Sequence, residues 1–506
     1  MKLLKNESLY SGIRVGFIIT TIIYSLVRQN VTAIQPYLMS DILNLAVIGI
    51  AGLLVLWDVL IFRNIWKTKY IWLLAGFGVL TVISSAVGFK YGYMENVKTI
   101  ANLFIQFCLL YVVGAKKDRK SLEKEMRVIS TAVGAAWLIA VVISVFMYFA
   151  DISYEQNRYL WGDVTVIPQG FVHEHMGAVV MRLWGVFVDP NFASCVSIAI
   201  IAMSLFAIVT TKKKGLRAFY IVNVVFQYLY VVLSNSRMGL LALCLSVFAG
   251  GWYYSFFILG GKKLNAVVKE LFSVIMAVIC VAACYGSVVL TKTVLPYIRL
   301  GIEYTVDFVT SEEATTLPEE TTTGEEATTG EESSTEESTT EEATTEEATT
   351  DKTVEKLDRQ DVLVKSDVSN GRFGLWMEGI RTVFKENPIL GVGPRNYHSA
   401  AKEIDDTTRI STGYSIHNSF IELLMGNGII GTLVFILFFI LCAKDIIIVR
   451  YKNPSRAKSV GFLAAGMINL LACGMFIACL FYTLSGATII LFTFLGYAVK
   501  LSVKED

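Results

Sequence analysis

Residues 419–443 read SFIELLMGNGIIGTLVFILFFILCA, a run of 25 side chains of which one, Glu422, is charged. About 20 mostly apolar residues are enough to cross the hydrocarbon of a bilayer as a helix, so this run has the length and character of a membrane span. Outward from it the pattern repeats. Further candidate spans are Gly12 to Val27, Ile42 to Phe62, Tyr70 to Phe89, Thr99 to Gly114, Val128 to Ala150, Leu183 to Thr210, Ala218 to Ser234, Met238 to Leu259, Leu271 to Leu290, Val460 to Leu480 and Ser485 to Val499. The composition agrees: 54% hydrophobic and 17% charged residues with a mean hydropathy of +0.56 exclude a water-soluble globular domain. The expected fold is an all-α polytopic membrane protein of about twelve transmembrane helices.

Charge gives this array a direction. The tract Ser311 to Thr350 holds 14 of the 43 acidic side chains and none of the 44 basic ones, so the remainder carries 15 more positive than negative charges. Lys and Arg gather in alternate loops, among them Lys116 to Arg127, Lys212 to Arg217 and Lys444 to Lys458, and basic loops stay in the cytoplasm. Both termini are therefore expected inside. Two long segments, Asp151 to Arg182 and Thr291 to Asn418, then face outward. The chain divides into N-terminal helices (1–290), a long outer loop (291–418) and C-terminal helices (419–506). Within the loop, the Thr-Thr-Glu-Glu-Ala repeats of Ser311 to Thr350 have almost nothing apolar to bury and repel one another, which predicts a disordered, solvated spacer. No cleavable signal peptide is expected, because the first apolar stretch lacks a small-residue cleavage site. All eight cysteines lie in apolar stretches without CxxC spacing, so neither a disulfide framework nor a zinc site is expected.

Few residues are equipped for chemistry. His417 stands at the entrance of the 419–443 span, followed by Asn418 and, one helical turn on, Glu422; Gly428 and Gly431 beyond them would let another helix approach closely. Such a histidine is either a capping or interfacial residue or a base. Arg237 begins a span at its outer end, against the positive-inside bias, and is either a snorkelling residue or an anion ligand. Arg372 lies in the outer loop with Trp376 one turn away. The run Asn387-Pro388-Ile389-Leu390-Gly391-Val392-Gly393-Pro394 has the punctuation of a tight turn, with a phosphate-cradling loop as the weaker alternative. His398 reads as a solvated loop residue. His173-Glu174-His175 would suit zinc only in extended backbone with a ligand from elsewhere. Asp189 and Asn191 either line a polar groove or break the helix around Pro190.

Taken in order, Arg237-x-x-x-Leu241, Arg372 with Trp376, Pro388-x-x-Gly391-x-Gly393 and His417-Asn418-x9-Gly428-x-x-Gly431-Thr432 resemble the O-antigen ligase and O-antigen polymerase superfamily of membrane glycosyltransferases. Phe187-Val188-Asp189-Pro190-Asn191, preceded by Arg182, resembles that family's approach to its central span. The resemblance implies a fold like glycosyltransferase class C, with an outer loop over the site. It implies Arg237 and Arg372 as binders of a donor diphosphate and His417 as the essential histidine. Arg182, Asp189, Asn191, Trp376, Asn418 and Glu422 are the candidate substrate contacts beside them.

The chemistry of the residues is compatible with this. A glycosyl donor outside the cytoplasmic membrane is reasonably lipid-linked, and the departure of a polyprenyl diphosphate needs positive charge where negative charge develops. A guanidinium fork matches phosphate oxygens. An acceptor hydroxyl must lose a proton, and neutral imidazole takes it near neutral pH; Glu422 would orient the ring. No Asp-x-Asp element accompanies these residues, so no metal or other cofactor is required. The expected partners are a polyprenyl-diphosphate-linked glycan donor, a glycan or lipid-linked acceptor and membrane lipid, not nucleic acid. Polymerisation of lipid-linked repeat units at the outer face of the cytoplasmic membrane is the first expectation. Ligation of finished glycan to another acceptor is the second, and a transporter or flippase is the third, disfavoured because few ionisable groups lie deep in the spans.

Overall fold

The computed structural model describes residues 5–39, 41–114, 116–160, 163–175, 178–258, 265–316, 357 and 371–503. Its helices are α1 (Glu7–Asn30), α2 (Gln35–Leu38), α3 (Asp41–Trp57), α4 (Asn64–Lys67), α5 (Ile71–Val87), α6 (Met94–Ile105), α7 (Arg119–Phe149), α8 (Pro190–Thr210), α9 (Lys214–Leu233), α10 (Arg237–Ile258), α11 (Ala266–Thr316), α12 (Arg372–Gly379), α13 (Tyr397–Ile404), α14 (Ser419–Lys452), α15 (Pro454–Gly474) and α16 (Gly486–Ser502). Side chains stop the fraying of several N-termini. Asn6, Asp118, Asp189, Asn418 and Ser485 each accept a backbone N–H of the turn that follows.

Among the described residues, nine helices are long and apolar enough to cross a bilayer, which makes this a multi-pass membrane protein. The expected dozen is not reached by length and composition. Helices α5 and α16 are apolar but have 17 residues each. The stretch Thr99 to Gly114 is not one span: α6 ends at Ile105 and passes into a single π turn, Gln106–Leu110. Hydropathy measures apolar character and cannot tell a helix solvated by lipid from one enclosed by protein. Helix α16 is of the second kind, buried along almost its whole length, as is α8. These two pack with α15 at the centre, whereas α11 is largely uncovered in its apolar part.

Three expectations are corrected here. The protein is not all-α: β1 (Ser153–Leu160), β2 (Asp163–His175) and β3 (Ala178–Gly185) form an antiparallel sheet in the order β1-β2-β3. The expected span Leu183 to Thr210 accordingly begins too early, because Leu183 and Trp184 belong to β3 and the helix starts only at Pro190, whose fixed φ suits a first turn. A short apolar run of this kind is ambiguous between buried strand and helix. Finally, Cys195 of α8 and Cys473 of α15 form a disulfide across 278 residues of sequence, a pairing that local cysteine spacing cannot reveal.

The chain separates into two compact units, residues 1–290 with 357–506 and residues 291–356. The end of α11 lies in the second. Residues 311–316 of the Thr/Glu-rich tract continue that helix, as Glu and Ala allow, rather than being irregular as expected. The rest of the tract, from 317 to 350, lies outside the described residues.

Candidate functional site

The entrance of α14 is fixed from both sides of His417. Asn418 is buried, and its carboxamide oxygen accepts the N–H groups of Phe420 (2.9 Å) and Ile421 (3.1 Å). Ile416 is fully buried, and its carbonyl accepts the indole N–H of Trp376 at 3.0 Å. Between them His417 takes the left-handed conformation (φ 47°), which few non-glycine residues adopt, with its backbone N–H on Ser415 Oγ at 3.3 Å. The ring is exposed to solvent within crowded surroundings. That crowding is the largest influence on its pKa, and the Arg372 guanidinium is the next; together they hold it below the ordinary 6.5, while Asp189 pulls the other way. The imidazole is thus neutral at pH 7 and able to accept a proton.

Arg372 opens α12, directly after Gly371 in the left-handed region (φ 79°), and its guanidinium lies 6.0 Å over the ring of Phe476. Burial lowers its pKa; Asp189 opposes this and Arg237 adds to it. Arg372 is therefore within electrostatic reach of Arg237, His417 and Asp189, and His417 within reach of Asp189, although the four come from separate parts of the chain. Their elements share a second property. Asp189 caps α8, Arg237 and Arg372 are the first residues of α10 and α12, and Asn418 caps α14, so four helix N-termini, each carrying partial positive charge, begin at these residues.

The remaining expected contacts form the supporting frame. Arg182 of β3 donates from Nε to the Ser234 carbonyl (2.7 Å) and from Nη2 to Asn191 Oδ1 (2.6 Å), and Ser236 Oγ donates to the same Asn191 oxygen at 2.8 Å. Asp189 accepts the Asn191 N–H at 2.8 Å. Asp189, Asn191 and Arg182 thereby join the sheet, the start of α8 and the turn that presents Arg237.

Glu422 does not reach His417. It is 1% exposed and pairs with Arg395, whose Nη1 lies 3.0 Å from its Oε1. Arg395 was not among the expected residues; its one signal in the sequence is its position immediately after Gly393-Pro394. The run from Asn387 to Pro394 does form the expected turn, at residues 388–390. Its amides are occupied, Gly391 N–H by Asn387 O (2.8 Å), Val392 N–H by Met425 O (3.0 Å) and Gly393 N–H by Gly426 O (3.0 Å), so they do not form a phosphate cradle. They instead satisfy α14 where it breaks. Gly428 there has φ 62° and ψ −169°, a region essentially restricted to glycine, and Ile429 donates to Pro388 O at 2.8 Å. Gly426 and Gly428 of α14 thus admit a loop rather than another helix, whereas Gly431 faces the Asn427 side chain of its own helix. A Cβ on Gly428 would fall 2.3 Å from the Ile389 carbonyl oxygen. Gly428→Ala is expected to destabilise the protein by about 1–3 kcal/mol from backbone strain alone, read as a lowered unfolding temperature of the purified protein; unchanged unfolding would show that the break is dispensable.

His398 is not a solvated loop residue. It lies half-buried in α13 with Nδ1 on the Ile410 carbonyl (2.9 Å), and burial, followed by Arg395, lowers its pKa while that carbonyl opposes them. His173 Nε2 lies 2.8 Å from Asp151 Oδ1. Among the described residues, no three His, Cys, Asp or Glu side chains stand close enough to hold a metal.

Comparison with known proteins gives one family match. The model of the O-antigen ligase family matches residues 222–436. That segment holds Arg237, Arg372, Trp376, Arg395, His417, Asn418 and Glu422, while Arg182, Asp189 and Asn191 precede it. A search of curated proteins found no match to the chain.

Proposed function

We propose that this chain, whose residues 222–436 match the model of the O-antigen ligase family, is a membrane glycosyltransferase that polymerises lipid-linked oligosaccharide repeat units at the outer face of the cytoplasmic membrane. The observation that carries the reading is the convergence of two arginines, a neutral histidine and four helix N-termini. In this reading the diphosphate of a polyprenyl-linked donor lies between Arg237 and Arg372. The acceptor hydroxyl oxygen attacks the anomeric carbon and its proton passes to His417. The bond from that carbon to the diphosphate oxygen breaks, and the diphosphate leaves with the electron pair, stabilised by the guanidinium groups. Trp376 and Asn418 hold the peptide that carries His417, and Asp189 moderates the positive charge. No step calls for a metal or a cofactor.

The full-length protein incubated with a polyprenyl-diphosphate-linked oligosaccharide as sole substrate is expected to produce a ladder of longer glycans. Ligation to a different acceptor is the second reading, favoured by the family that residues 222–436 match. No ladder from folded protein, with transfer on addition of a lipid or protein acceptor, would decide for it. In either assay Arg372→Lys is expected to slow transfer at least about tenfold, because lysine keeps the charge but loses the fork. An unchanged rate would remove Arg372 from the diphosphate.

A further inference from the structure

Residues of β1 face the two sides of the sheet alternately, so Tyr154, Gln156 and Arg158 share one face. The register with β2 has no shift and sets them opposite Gln169, Ile167 and Thr165. That face is covered along part of its length: Gln169 is fully buried and bonded to Thr32 and to the Phe187 carbonyl, two residues before Asp189, Ile167 beside it is buried, and Gln156 and Arg158 are half-buried, while Tyr154 and Thr165 reach the surface. On it are two buried atoms without hydrogen-bond partners among the described residues, Gln156 Oε1 and Arg158 Nε. A buried polar atom left unpaired costs about 1–3 kcal/mol, and two on adjacent positions of this face call for a common explanation. Arg158 also lies near the site: burial lowers its pKa and the Asp189 carboxylate opposes this.

The two atoms ask for opposite things. Gln156 Oε1 needs a donor and Arg158 Nε needs an acceptor, and a hydroxyl group supplies both. A phosphate supplies only acceptors and would leave the carbonyl unsatisfied. Tyr154, beside them on the same face, adds an aromatic surface of the kind that apolar faces of sugar rings pack against. We propose that this face of β1 is a saccharide subsite, in which Gln156 and Arg158 hold a glycan hydroxyl beside Asp189. This rests on the glycosyl-transfer reading above and extends it to the sheet, which lies outside residues 222–436.

The test uses the full-length protein in lipid nanodiscs and two probes. One is the free oligosaccharide released from the lipid-linked repeat unit, and the other is polyprenyl diphosphate without sugar. Arg158→Ala and Gln156→Ala are each expected to weaken oligosaccharide binding about tenfold, the equivalent of one hydrogen bond lost, and to leave polyprenyl diphosphate binding unchanged. If Arg158→Ala does not fold, Arg158→Lys and Gln156→Met preserve bulk and take its place. Unchanged oligosaccharide binding overturns the subsite. So does an equal loss for both probes in variants that unfold at the wild-type temperature, which would make Arg158 a phosphate contact, and so does a wild-type protein that binds no oligosaccharide. Glycan transfer by the wild type is scored separately. Its absence, with selective loss of oligosaccharide binding in the variants, would reject transferase chemistry and retain the saccharide site.

Discussion

Replacement of His417 by Ala is expected to reduce glycan transfer by about 10²- to 10⁴-fold, the range for loss of a positioned general base, while membrane insertion is kept and the unfolding temperature falls only slightly. The second half of this expectation comes from how the loop is held. Trp376 on the Ile416 carbonyl and Asn418 on the first turn of α14 fix the peptide, and neither uses the imidazole. Because His417 has φ 47°, alanine adds some backbone strain that histidine tolerates better. His417→Asn is therefore the sharper variant, since asparagine accepts the left-handed region but cannot take a proton near neutral pH. Wild-type rates in correctly folded His417→Asn protein would end the general-base assignment.

The same geometry predicts a pH dependence with a definite sign. Transfer requires neutral His417, so kcat/KM falls as pH drops through the pKa of this group, and burial and Arg372 set that limb below 6.5. Arg372→Gln removes a positive neighbour, eases protonation and moves the acid limb of the residual activity to higher pH. Asp189→Asn removes a negative neighbour and moves it lower. A limb that stays in place in both variants would show that His417 is not electrostatically joined to either residue.

What the sequence disclosed depended on how each property is encoded. Membrane spans are written in contiguous apolar composition, which is why α1, α3, α7, α9, α10 and α14 fall where hydropathy sets them. Strand β1 was hidden because a polar, mostly exposed segment such as Ser153–Leu160 shares its composition with a loop. His417 and Arg237 stood out as ionisable groups at membrane entrances and the loop residue Arg372 only through the family resemblance, but nothing local announced that Asp189 acts electrostatically on Arg372 and His417 or that Glu422 belongs to Arg395. Such pairings are set by how helices from distant parts of the chain pack, as is the Cys195–Cys473 disulfide. The glycine spacing after Asn418 was visible, yet its partner, the turn at residues 388–393, could be found only in three dimensions.

Removal of one partner of the Arg395–Glu422 pair is the second large expected effect. The carboxylate is 1% exposed and the arginine side chain 18%, so water does not reach the carboxylate and solvates the arginine only in small part. Arg395→Met leaves Glu422 without its counter-charge and is expected to cost about 3–5 kcal/mol. In the double variant Arg395→Met, Glu422→Gln the uncompensated charge is gone, and much of that loss returns, because an apolar or neutral replacement of a buried pair is far milder than its rupture. The consequence for transfer follows from position. Arg395 extends the turn at residues 388–393, which supplies hydrogen bonds at the break in α14, and its backbone N–H is held by Asn96 Oδ1 at 3.1 Å. Glu422 lies one helical turn beyond Asn418, whose cap fixes the peptide of His417. Loosening the pair lets the α14 entrance drift, so kcat should fall while the pH at which activity is lost stays where the local charges of Arg372 and Asp189 place it. A single Arg395→Met variant that unfolds at the wild-type temperature would show that the loop is anchored by its backbone alone. A shifted acid limb would instead put Arg395 within the electrostatic reach of His417.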